Sequence, residues 1–325
     1  MYNKQSGFTL IELMISLTLG LIVTAAAILL FLTGQRSAAM QRGVAELQDN
    51  ANFGLNYITQ DLRLTNLNTK SAVINDQTAF GGVVLSSSNT EPKSNVYLSD
   101  TALSVNLISK NNLKSNVVNS RNATVGSDQL VIQYLPQYHL EGNDLVGGFD
   151  CEGTELRFNR ATQGLQVVVQ RYFLRADNHK TSNESSALAL ACDAGHYSLE
   201  TPNAIVGYGG TGEIIMKRVD HFRVLFGVQT DVAAAGSSPA TTEHQYISIK
   251  DYMALTAPRP RILSLQLGAL VRSTQSVGAE SAVKADQEFQ VLDQTVQLKT
   301  STDPKYIRQV VSQTVALRNA LGERE

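Results

Sequence analysis

From Phe8 to Gly34 the chain is an apolar run with one ionisable side chain, Glu12. As a helix the run reaches roughly 40 Å at 1.5 Å per residue, longer than the about 20 apolar residues that a bilayer core requires. A secretory signal has a shorter apolar stretch, about 7–15 residues, closed by a small-residue cleavage site. Here Ala25-Ala26-Ala27 lies inside the run, and Ile28 to Leu32 still follow. The run therefore predicts a helix that spans a membrane and stays attached. Glu12 does not suit a plain anchor, because a carboxylate at mid-bilayer costs ~3 kcal/mol on insertion scales. It either sits wet at the headgroups or has a partner.

Gly7-Phe8-Thr9-Leu10-Ile11-Glu12-Leu13 follows a short hydrophilic leader containing Lys4. This segment resembles the processing site of type IV prepilins and of the related type II secretion pseudopilins. The resemblance implies that a membrane peptidase cuts between Gly7 and Phe8 on the cytoplasmic side. It implies next that the new Phe8 amine is methylated. Glu12 would then satisfy the Phe8 amine of a neighbouring subunit during filament assembly. Two unit charges 4 Å apart attract by about 4 kcal/mol at an effective dielectric of 20. In lipid such a pair would fix the axial register of otherwise slippery helices.

Beyond Gly34 the chain turns polar without a helix breaker. Met40, Val44, Leu47, Ala51, Leu55, Ile58 and Leu62 recur every three or four residues, the stripe of an amphipathic helix. One helix is expected from about Phe8 to about Thr65, with a softening at Thr33-Gly34. Gly43 and Gly54 weaken it slightly. Major pilins usually carry a proline in the membrane half of this helix. This chain has none before Pro92, which favours a minor pilin or a pseudopilin.

From about residue 70 short β-type runs alternate with turn-rich stretches. Strands are expected near 83–85, 96–98, 103–109, 129–135, 155–160, 166–175, 213–219, 221–229, 261–273 and 287–298. Loops are expected at 86–95, 176–187 and 230–245, and a short helix at 251–255. The 306–321 tail alternates like a strand but also admits a helix; strand is favoured. The fold class is α+β, a long N-terminal helix packed on a β-rich, pilin-like head. Residues 46–66, 127–134, 219–228, 263–273 and 314–322 resemble, in order, the PilW family of minor pilins. That resemblance implies a role in building and priming type IV pili beside other minor pilins.

The resemblance puts the head in the oxidising periplasm, where a Cys151–Cys192 disulfide is expected to persist. Free thiols, or a metal site with His196, are the alternatives, but no second ligand pair stands at matching spacing. Gly207-Tyr208-Gly209-Gly210-Thr211-Gly212 matches a dinucleotide fingerprint literally, yet Glu213 to Val219 reads as a strand rather than the required helix. It is expected to be a loop. The five histidines form no metal or catalytic spacing, so no enzyme, cofactor or metal is expected. The net charge of −2 gives no general case for nucleic acid. Arg171, Arg175, Lys217, Arg218, Arg259 and Arg261 could form local basic patches, but direct DNA contact is not the expectation.

The sequence thus reads as a prepilin-like minor pilin. Its leader is 1–7, its helix 8–65 with 8–32 in the inner membrane, and its head 66–325. The bulky head suits a pilus tip. Expected partners are other minor and major pilins, the prepilin peptidase, the inner-membrane assembly platform and the bilayer. The alternatives are a tip pseudopilin of type II secretion and a tip adhesin.

Overall fold

The computed structural model describes residues 7–91, 93–180, 187–232, 241–276, 287–299 and 306–321. The leader residues 1–6, with Lys4, lie outside the described residues, as do 181–186 and 233–240 of two expected loops. The first element is α1 (Leu10–Leu62). Short strands follow: β1 (Ser87–Ser88), β2 (Val96–Tyr97), β3 (Lys110–Leu113) and β4 (Val117–Val118). Then come β5 (Ser127–Tyr134), β6 (His139–Glu141), β7 (Asp144–Phe149), β8 (Glu155–Asn159) and β9 (Gln166–Ala176). β10 (Leu188–Ser198), β11 (Glu213–Lys217), β12 (Val219–Val232) and β13 (Thr241–Ser248) lead to α2 (Ile249–Ala254). The chain ends with β14 (Arg261–Arg272), β15 (Phe289–Val291), β16 (Gln294–Leu298), β17 (Arg308–Ala316) and a 3-10 turn at Arg318–Ala320. The architecture is the expected α+β class, a long helix on a strand-rich head.

Two larger sheets build the head. One runs β11-β10-β9-β5-β3 and the other β13-β12-β14-β17. Smaller sheets, β6-β7-β8 and β15-β16-β4, flank them. Every residue of β5 is buried, as the interior strand of a two-faced sheet must be. The outer third of α1 packs against β11, β14 and β17. One apolar core joins Leu47, Ala51, Leu55, Ile58 and Leu62 of α1 to residues of both large sheets, among them Leu190, Phe222 and Leu267. The expected stripe is therefore real from Leu47 onward, whereas Met40 is exposed.

α1 is helical through Thr33-Gly34, so the expected softening is absent. Gly54 has a packing reason: a Cβ there would lie 2.6 Å from the Met216 methyl on β11. The helix stops at Leu62 rather than Thr65, because the chain turns through left-handed Asn66 and Asn68.

Several strand assignments need correction. Residues 103–109 form a turn, with Val105 exposed, and pairing begins only at Lys110. Residues 83–85 are extended but pair only as a bridge from Val83 to Ile132. The 287–298 run is a hairpin, broken where Leu292 takes a positive φ. β10 was not expected, because Ala, Gly and Asp are poor strand formers, yet it pairs along its whole length with β9. Most of β13 falls in the expected 230–245 loop; its polar residues carry no alternation, and it exists because β12 runs on to support it. The tail is a strand, β17, ending in the 3-10 turn.

Candidate assembly site

Thr9 is the N-cap of α1. Its hydroxyl accepts the Glu12 amide at 3.3 Å and donates to the Glu12 carboxylate at 3.4 Å. This is the Thr-x-x-Glu capping pattern, with the acid also favourably placed in the first turn of the helix dipole. The Thr9-x-x-Glu12 spacing is legible in the sequence. Phe8 and Gly7 lie just before the cap, both exposed.

From Leu10 to Arg42 every residue of the helix is exposed. It projects about 50 Å, enough to cross a bilayer with length to spare. Among the described residues it is the one helix long and apolar enough to do so. Its hydroxyls are satisfied within the helix: Ser16 donates to the Glu12 carbonyl, Thr18 to Met14, Thr24 to Gly20 and Thr33 to Leu29. Those groups therefore present no unpaired donor to hydrocarbon. The Glu12 carboxylate differs: among the described residues it meets only the Thr9 hydroxyl. An acid in that position can still take a cation from outside the chain.

At its other end α1 is locked into the head by polar contacts. The Asn50 amide pairs with the Lys217 backbone of β11, accepting its N–H at 3.0 Å and donating to its carbonyl at 2.7 Å. Tyr57 donates to the Cys151 carbonyl at 3.1 Å. Asn319, in the 3-10 turn, donates to the Arg63 and Thr65 carbonyls past the helix end. A disulfide joins Cys151, in the β7–β8 turn, to Cys192 in the middle of β10, with a Cα separation of 6.1 Å. It fastens the β6-β7-β8 sheet to the large sheet directly below the helix.

Tyr172 of β9 donates to the Asp61 carboxylate at 2.8 Å. Burial pushes the Asp61 carboxyl up to about 6, against the pull of the Tyr172 hydroxyl, and the Asp150 carboxylate adds to the rise. An unfolded Asp titrates near 3.9, so the folded chain binds the extra proton between the two values. The contribution to stability is complete below about pH 4 and is lost as pH rises through about 6. Asp61→Asn is expected to flatten this slope and to stabilise the protein at neutral pH by up to ~3 kcal/mol. Urea midpoints of both proteins measured across that range provide the check.

The basic residues do not form a patch. Arg171 pairs with Asp193 at 2.9 Å and lies over Phe173. Arg218 pairs with Asp177 and Arg259 with Asp76. Arg175 donates to the Gly212 carbonyl and Arg261 to that of Ala320. These cations hold loops to strands; Lys217 alone of the six is exposed. The Gly207 to Gly212 segment is a loop as expected, and Asp193 accepts the Gly209 and Gly210 amides. His196 packs on the Phe158 ring, and burial lowers its pKa. Ser127 and His221 are hydrogen-bonded at 3.1 Å, and His221 also meets Gln294 at 2.9 Å. Both Ser127 and His221 are fully buried, so this pair joins β5, β12 and the β15–β16 hairpin and cannot reach a substrate.

Residues 172–319 match a family model described as Type IV Pilus-assembly protein W, and residues 2–28 match the Prokaryotic N-terminal methylation motif. Among solved structures, the Type IV-like pilin TTHA1219 from Thermus thermophilus is similar at 12% identity and a TM-score of 0.35, over 84% of this chain and 98% of that one. No curated protein matches the chain. The first match spans β9 through β17, the strands that seat α1, and the second covers the cap and most of the apolar helix. The methylation motif and the projecting apolar helix are consistent with membrane anchoring, and the matches over 172–319 and 2–28 support the reading of a PilW-type, prepilin-like protein.

Proposed function

We propose that this chain is a minor pilin that primes or caps type IV pili. Residues 1–7 are a leader removed between Gly7 and Phe8 by the prepilin peptidase, which then methylates the Phe8 amine. Phe8 to Leu32 hold the protein in the inner membrane, with residues 66–325 in the periplasm. On assembly the helix leaves the lipid and packs against those of other minor and major pilins at the assembly platform. The pilus would in turn serve twitching motility, adhesion or DNA uptake. The observation that carries this reading is the Gly7-to-Glu12 motif set directly on a helix that is exposed for about its first 50 Å and locked to a bulky head thereafter.

Mass spectrometry of the protein from its own host tests the first step. The expected mature chain begins at Phe8 and carries one extra methyl group on its amine. A mature protein that keeps residues 1–7 would overturn the proposal. Deletion is expected to remove surface pili and twitching while sparing protein secretion; the reverse pattern would assign the chain to a secretion pseudopilus.

A further inference from the structure

One apolar hollow in the head keeps a pair of opposite charges unused. It begins just past the end of α1, where Phe80, Leu135, Val167 and Leu199 wall a cavity of about 330 Å³. The exposed Lys70 and Glu200 also line it, and neither side chain has a hydrogen-bond or ion-pair partner among the described residues. Phe80 is held in the left-handed region, at φ 58°, with its ring stacked on Tyr197. A bulky L-residue rarely takes that conformation, and such conformations cluster at ligand clamps, active sites and switches. Leu62, the last residue of α1, stands about 45 Å along the helix from Leu32, where the apolar run closes. The hollow is therefore well clear of any bilayer that α1 crosses.

The surroundings narrow what can fill it. None of the lining residues adjoins an undescribed segment; the smallest separation in sequence is the twelve positions from Phe80 to residue 92. The chain end beyond Leu321 is Gly-Glu-Arg-Glu and has no apolar side chain to offer. A peptide strand finds no ladder here, because the backbone of the walls is already used. The Leu135 N–H donates to the Leu67 carbonyl at 3.1 Å, and the Leu135 carbonyl accepts the Asn68 side-chain amide at 3.1 Å. The Phe80 and Leu199 N–H groups donate to the Asn95 and Leu165 carbonyls. A protein interface needs about 1,000 Å² or more of buried surface, whereas pockets of about 300 Å³ suit the smallest ligands. In this hollow an anion alone would face Glu200, and a cation alone would face Lys70. A molecule with an apolar body and both charges satisfies the walls and the two side chains together.

We infer that the hollow binds a small zwitterion with an apolar side chain, of the α-amino acid class. Its carboxylate meets Lys70, its ammonium meets Glu200, and its side chain lies among Phe80, Leu135, Val167 and Leu199. This inference does not depend on the pilus assignment.

The test uses the full-length chain in lipid nanodiscs and equilibrium dialysis of labelled L-leucine. Two competitors each carry one of the two charges on the same apolar body: isocaproate lacks the amine, and isoamylamine lacks the carboxylate. Leucine is expected to bind saturably, and each competitor to be at least about tenfold weaker, the effect of one lost charge-assisted bond. Lys70→Met is expected to bring leucine down to the level of isoamylamine, and Glu200→Gln to that of isocaproate. Both substituted side chains are exposed, so both variants are expected to unfold at the temperature of the parent, which shows that the loss is local. No saturable leucine binding below about 10 mM, a single-charge competitor as strong as leucine, or binding indifferent to both substitutions would each overturn the inference. Octanoate competing better than leucine would overturn it too, in favour of a lipid site.

Discussion

Glu12→Ala is expected to yield a protein that inserts and is cleaved normally but falls at least about tenfold in sheared filaments relative to membranes. The proposal assigns Glu12 two separable tasks. As the third helical residue it supports the Thr9 cap, a local effect of about 1 kcal/mol. As a carboxylate whose only described neighbour is a hydroxyl, it is free to pair with a cationic amine from another subunit. Glu12→Gln discriminates between them. It keeps an oxygen that can meet Thr9 but loses the charge. If the acid acts as a cap, Gln restores assembly; if it seats an amine, Gln fails as Ala does. Normal incorporation of the Gln protein would sink the charge-pairing role and leave the helix cap.

Replacing Cys151 and Cys192 together by Ser is expected to destabilise the head by roughly 4 kcal/mol, the chain-entropy value for a bridge spanning 41 residues. Loss of the bridge also frees the β7–β8 turn, which holds one contact with α1 and one with β10. These are the Cys151 carbonyl that accepts from Tyr57, and the Glu152 carboxylate that accepts the Ala194 amide. The measurement is the urea midpoint of the detergent-solubilised full chain, oxidised, reduced and doubly substituted. Reduced and substituted proteins should unfold together, well below the oxidised one. A difference under about 1 kcal/mol would mean that the hydrogen bonds alone hold the turn.

The two effects lie at opposite ends of one helix. Between them, polar contacts fix where the helix leaves the head: Asn50 on β11, Tyr57 at the disulfide, Asp61 on Tyr172 and Asn319 at the chain's last turn. None of these partners was visible in the sequence. Each joins residues more than ninety positions apart, so no local pattern could reveal them.

What the sequence determined by itself follows from periodicity and from solvent. An apolar run long enough for a bilayer, a three-and-four stripe after it, and strong β-branched runs such as Val167-Val168-Val169 each bury one kind of surface whatever surrounds them. The N-terminal methylation motif is equally local. The tertiary structure decided the rest. β10 is a strand because β9 and β11 supply both sides of its ladder, although Ala, Gly and Asp do not favour one. β13 is a strand because β12 outruns the core and templates it. The arginines scattered along the sequence became internal ties because buried carboxylates meet them there, at Asp193, Asp177 and Asp76. Pairing across a sheet and burial of a charge depend on neighbours distant in the chain, and only the folded molecule brings those neighbours together.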